Sequence, residues 1–317
     1  MTVTGPRASS AIIVATVLTL VPSLVACRAS AATGTSSLPT ARPTAAATVT
    51  PAPWILIGSE VETRIVDAVI SWAETRSLAT RLQPLEGQPP APPPGLRAVV
   101  GSEKEILVFH DAWSKAGIVS VVLDPNSLGP DETTSVIGPV PRFDQAGFLA
   151  GVAAGLATSA GGVGLTPGTG EGAEAFVVGF DEGLRYACPK CRWEPVSEPA
   201  RPPFGVDVVA ISPNSDPVAE VPREGAPWLI VTGDADLGAW ADRVAARVRT
   251  VPEALVASAL ERLLDGSSGE EWRYAADNGG LRVEILNPEA ISPGRERLLR
   301  EAETLLASGF LVVPGGE

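Results

Sequence analysis

Apolar and polar residues run along this chain in blocks whose period switches between that of a strand and that of a helix. Trp54-Ile55-Leu56-Ile57 is a continuous apolar run of strand length. Residues 60–76 follow, with Val61, Ile65, Ala68, Val69 and Trp72 at helical spacing, which predicts one buried face. Residues 78–85, 96–100 and 118–123 read as further strands, with a helix over 102–115 between the last two and a short strand at 135–137. The second half keeps the rhythm, with strands at 163–166, 206–211, 228–231 and 244–248 and helices at 252–264 and 295–307. Residues 272–275 and 281–285 flank Asp277-Asn278-Gly279-Gly280, the pattern of a β-hairpin. Strands alternating with helices predict an α/β fold of parallel sheets covered on both faces.

The stretch 142–186 organises the rest. Leu149, Val152, Ala153 and Leu156 form an apolar helical stripe, while Gly147, Gly151 and Gly155 line a second face without side chains. Each interior glycine costs about 1 kcal/mol against alanine. That face must therefore recover the loss by close packing against a sheet or another helix. A short strand at 163–166, a loop at 167–170 and a second helix with Ala173, Phe176, Val177, Phe180 and Leu184 on one face complete the unit.

The chain's start has a different pattern. Arg7 precedes an apolar segment that ends at Leu24-Val25-Ala26-Cys27, which resembles the lipobox of bacterial lipoproteins. The expectation is a signal peptide over 1–26 and a mature protein acylated at Cys27, held on the extracytoplasmic face of the cell membrane by lipid alone. Residues 27–53 are rich in Ala, Thr, Ser and Pro and read as a disordered tether. No later apolar run is long enough to span a bilayer. The formal charge of −13 argues against a nucleic-acid partner, which needs clustered Lys and Arg.

Little in the chain suggests catalysis. Cys188 and Cys191 follow a helix, the wrong end for a thiolate stabilised by the helix dipole, so the pair reads as a disulfide of an exported protein. His110 is the only histidine, which argues against zinc. On a helix His110 and Asp111 point apart, so they read as a surface pair and not as part of a triad. Gly168-Thr169-Gly170-Glu171-Gly172 lies where a phosphate loop would, but lacks the Lys-Ser/Thr ending and carries Glu171. It reads as a tight turn. Neither enzymatic activity nor a cofactor or metal is expected.

The run F-x-x-A-G-F-L-A-G-x-x-A-G-L from Phe143, then G-G-V-G from Gly161 and G-F-x-x-G-L-R-Y from Gly179, resembles the basic membrane lipoprotein family. These are substrate-binding lipoproteins of ABC importers, including purine-nucleoside binders, and the resemblance continues more faintly over residues 54–314. It implies a two-lobed type I periplasmic-binding-protein fold, each lobe a mainly parallel sheet flanked by helices. Residues 54–137 with about 237–285 would form one lobe, and 138–236 with about 286–317 the other. A small polar solute, a nucleoside or another sugar-containing ligand, would bind between them and be handed to an ABC permease. Ligands of open α/β sheets bind outside the carboxyl ends of the strands. Ser59, Asp124 and Asp234 stand at such ends, with Asp236 beside Asp234. The resemblance implies sugar- or ribose-binding acids at Asp124 and Asp234, and a cation at Arg249. Trp240 and Trp113 could stack on a base. The D-x-S-F-N segment of the family is replaced here by Gly58-Ser59-Glu60-Val61-Glu62, and its G-G-T-G run by Ser212-Pro213-Asn214-Ser215-Asp216. Those replacements also admit an alternative, a surface sensor or structural lipoprotein that keeps the fold without a transported ligand.

Overall fold

The structure, a computed structural model, describes residues 51–85, 91–213, 215, 225–233 and 238–314. The expected signal segment, Cys27 and almost all of the tether lie outside the described residues, as do Asp234, Asp236 and parts of the two proline-containing loops. Among the described residues no helix is long and apolar enough to cross a membrane.

The elements follow the predicted rhythm. The first group is β1 (Trp54–Ile57), α1 (Thr63–Thr75), β2 (Ala79–Leu82), β3 (Leu96–Ser102), α2 (Glu103–Ile106), α3 (His110–Lys115), β4 (Val119–Leu123) and β5 (Thr134–Pro141). The second is α4 (Phe143–Ala157), β6 (Gly162–Thr166), α5 (Ala173–Ala187), β7 (Arg192–Pro195), β8 (Val206–Ile211), β9 (Trp228–Thr232) and, after a 3-10 turn at Gly238–Arg243, β10 (Val244–Thr250). Then come α6 (Pro252–Leu264), β11 (Glu271–Tyr274), β12 (Leu281–Ile285) and α7 (Pro293–Ala307).

Two sheets result, in the orders β11-β5-β4-β3-β1-β2 and β12-β10-β9-β8-β6-β7. Every pairing is parallel except β10 with β12. Setting the edge strands β11 and β12 aside, both sheets have the same doubly wound order, in which the chain reverses its direction of travel beside the first strand of each. Apolar strand runs without alternation, such as Ile55, Leu56 and Ile57 at 0% exposure, are what a sheet covered on both faces requires.

Two expectations are corrected by this topology. Residues 272–275 and 281–285 do not form a hairpin, because β11 adds in parallel to β5 while β12 runs antiparallel to β10 in the other sheet. The Asp-Asn-Gly-Gly turn instead carries the chain from one lobe to the other. Asn278 shapes it, its Oδ1 accepting from the N–H groups of Ala275 (3.1 Å) and Gly280 (2.9 Å). For the same reason the segment 237–285 does not belong to the first lobe as a block. Of its elements only α6, packed on α1 and β4, and β11 do, whereas β10 and β12 complete the second sheet.

The helix expected over 102–115 also breaks in two. The chain turns at Leu107–Phe109, so that Phe109 stacks on Trp113 at 3.9 Å and both rings enter the core on one face of the first sheet. His110 is correspondingly not a surface residue. Its Nε2 lies 2.8 Å from the Thr134 hydroxyl, and its side chain is 11% exposed. The pair Cys188–Cys191 forms the expected disulfide, bridging Cα atoms 5.3 Å apart between α5 and β7.

The glycine face of α4 meets a helix. A Cβ on Gly147 or Gly151 would come 2.1 Å from the carbonyl oxygen of Phe176 or Phe180, and one on Gly179 or Gly183 2.0 Å from that of Asp144 or Phe148. The two helices thus interlock backbone to backbone. Nearly all of α4 is buried, because α7 and the second sheet cover its other faces.

Candidate functional site

The chain passes between the sheets three times, and the three passages are bonded together. The first, at the end of β5, is held where Arg142 N–H donates to Tyr274 O (2.8 Å), at the third. The second, between β10 and α6, is held where Val251 N–H donates to Gly280 O (2.9 Å), again at the third. Gln145 of α4 adds a buried bond, its Oε1 accepting the Ala276 N–H at 2.8 Å. The Arg142 guanidinium pairs in a fork with the buried Asp144 carboxylate, at 3.0 and 2.6 Å. That hydrogen-bonded partner holds Arg142 above its ordinary pKa.

Beside these passages lies a cavity of about 370 Å³. It sits at the carboxyl ends of β1, β3 and β4, the switch point of the first sheet, and Pro139, Thr250, Pro252 and Tyr274 of the passages close its side. Its floor depends on two carboxylates. The chain can turn at Gly58 because no side chain stands there, since a Cβ would lie 2.4 Å from Glu105 Oε2. Glu105, buried, accepts from the Ser102 N–H at 3.1 Å and caps α2. Glu103 instead reaches across to the loop after β4. It accepts from the Ser127 hydroxyl and the Asn126 N–H, and from the N–H groups of Ser127 (3.0 Å) and Leu128 (3.2 Å). These bonds, the Ser127 hydroxyl first, pull the Glu103 carboxyl down to about 2.

The loop so pinned presents Asp124. Its φ is +50°, a left-handed conformation that Asp tolerates better than most residues, and its N–H is fixed to Ile137 O at 3.0 Å. Among the described residues its carboxylate has no hydrogen bond or ion pair. Partial burial in the cavity wall, then Glu62, raises its pKa. Tyr274 faces it electrostatically across the cavity. Burial first, then Asp124, pushes the phenol up to about 12, so it remains protonated.

Glu103 gives a pH test. Its folded pKa lies below its ordinary 4.5, so its contribution to stability is present above about 4.5 and is lost as pH falls toward about 2. Glu103→Gln should be less stable than wild type in urea denaturation at neutral pH, and the gap should close across that interval. A gap that stays constant down to pH of about 2 would show that the loop contacts do not act through the carboxylate's charge.

Of the residues expected from sequence, Asp124 lines the cavity and Ser59 is exposed just outside it. Arg249 is not brought to it. Its strand places it opposite Arg282, and it pairs with Glu253 at 3.5 Å beside a separate open depression of about 650 Å³. Trp240 is also corrected: at 1% exposure it packs with Val209, Leu229 and Val231, leaving no ring face for stacking. Trp113 is likewise core. Tyr274, Glu62 and Glu103 were missed. Tyr274 had a usable signal, because reading 272–275 as a parallel strand makes it a strand-end residue like Asp124.

No group of His, Cys, Asp and Glu among the described residues could hold a metal ion. No family model matches the chain, and no curated protein matches its sequence. Solved structures do match its fold. An ABC transporter system solute-binding protein from Conexibacter woesei DSM 14684 is 15% identical, with a TM-score of 0.55, over 84% of this chain and 100% of that one. A transcriptional activator of the comK gene from Bacillus halodurans is 13% identical, with a TM-score of 0.52, over 83% of this chain and 100% of that one. This is the periplasmic-binding-protein fold. The cavity lies between the first sheet's switch point and the three passages.

Proposed function

We propose that this chain is a lipid-anchored solute-binding protein of an ABC importer, taking a small polar solute, a nucleoside or another sugar-containing ligand, between its lobes. The observation that carries this reading is the cavity at the switch point. It is polar and small, adjoins the passages on which the lobes would close, and holds a carboxylate and a phenol with no partner among the described residues. The solute-binding protein from Conexibacter woesei, matched over its whole length, supports the role. Leu24-Val25-Ala26-Cys27 supports the anchor, and the glycine-rich run from Phe143 supports a tie to the basic membrane lipoprotein family and its permeases. The chemistry is binding and release, with no covalent step.

A thermal-shift screen of the purified protein against nucleosides, sugars and other small polar metabolites tests the role. A ligand of the native state stabilises it by RT ln(1 + [L]/Kd), about 2.7 kcal/mol at a hundredfold excess over Kd. At least one solute should raise the melting temperature in a concentration-dependent way. A screen without such a response would support the alternative of a sensor or structural lipoprotein.

A further inference from the structure

We propose that the cleft selects a solute carrying a positively charged nitrogen, a protonated amine or amidine, held between Asp124 and Tyr274, over neutral or anionic solutes. This rests on the solute-binding reading above and narrows its small polar solutes, sugar-containing ones included, to those that carry such a nitrogen. The charges around the cavity are matched in all but one place. Glu62 pairs with Arg64 at 2.7 Å, and Lys104 faces Glu60 at 3.7 Å. Glu103 is occupied by the amides of the loop after β4. Both cations that line the cavity are thus answered by carboxylates, and Asp124 is the acid left over.

Tyr274 is an independent observation. It is 7% exposed yet lines the cavity, and its hydroxyl makes no hydrogen bond among the described residues. The hydroxyl is open to solvent, so a solute entering the cavity could take the place of water there. Here the groups that act on it are mostly negative, Asp124, Glu62 and Glu253 against Arg64, so the potential at the hydroxyl favours a cation. A protonated nitrogen could donate to the Asp124 carboxylate and to the Tyr274 oxygen at once. An anion would meet repulsion from the same groups. A neutral polyol could bond to Asp124, but lobe closure would then strip water from a carboxylate with no counter-charge, a cost that a cationic ligand offsets.

The test uses a solute panel balanced between primary amines and amidines, neutral sugars and nucleosides, and carboxylates and phosphates, followed by calorimetry of the hits. The chain contains only two tyrosines, Tyr186 and Tyr274, so tyrosine labelled with carbon-13 at the ring ζ position gives two signals, assigned with Tyr274→Phe. The tightest hits should be cations and should shift the Tyr274 signal. Asp124→Asn should weaken them by about tenfold to a hundredfold, the range of a charge-assisted hydrogen bond. The variant should fold, because Asn also tolerates the left-handed conformation and Asp124 is not part of the core. Neutral or anionic hits with unchanged affinity for Asp124→Asn would overturn the charge selection and leave the solute-binding reading intact. A cationic hit indifferent to Asp124→Asn would overturn it equally. No hit in any class would bring down the solute-binding reading, and this inference with it.

Discussion

Gly183→Ala should destabilise the protein by about 3 kcal/mol, the upper end of what overpacking costs. The new methyl would lie 2.0 Å from Phe148 O and 2.8 Å from Phe148 C. Both atoms belong to the backbone of α4, so no rotamer change can make room and the helices must separate. Alanine's higher helix propensity recovers only about 1 kcal/mol of that. Gly155→Ala is the control. There the nearest atoms are Ala187 Cβ at 3.0 Å and Leu184 Cδ1 and O at 3.3 Å, so the helices need part by only a few tenths of an ångström. It should change stability by less than about 1 kcal/mol. Urea denaturation reads both, as a lower midpoint at unchanged slope for Gly183→Ala. Equal effects at the two positions would mean that the interlocked helices do not limit stability.

Arg142→Met should cost about 3 kcal/mol, the lower end for breaking a buried pair, because the guanidinium itself is partly exposed. The loss comes from what remains. Asp144 is 2% exposed and would keep a charge without its forked partner. Adding Asp144→Asn removes that charge, so the double variant should regain most of the stability. If the double variant is as unstable as Arg142→Met alone, packing of the arginine stem and not the buried charge is responsible. The same residue ties two passages together through its N–H to Tyr274 O. That bond is made by the main chain and survives Arg142→Met, so solute binding should change less than stability does.

Much of the fold was legible because its signals are local. Continuous apolar runs such as Trp54–Ile57 mark strands covered on both faces, and glycines spaced along α4 demand a close neighbour. What a strand pairs with is not local. Glu271–Tyr274 and Leu281–Ile285 flank a strong turn sequence, and nothing between them says that each belongs to a different sheet. The site divided along the same line. Asp124 could be placed beside the cavity because a strand-end acid has a position in any doubly wound sheet. Trp240 could not be told from a stacking ring, since only the surrounding Val209, Leu229 and Val231 make it core. Glu103 looked like one more acid after a strand, and its role depends on a loop more than twenty residues away.

The central claim is that two lobes close on a small solute at the first sheet's switch point. X-ray scattering of the protein with and without a saturating solute from the screen tests this most directly. The account predicts a smaller radius of gyration with the solute, and no such change for Asp124→Asn at the same concentration. Scattering curves that superpose with and without bound solute would contradict it.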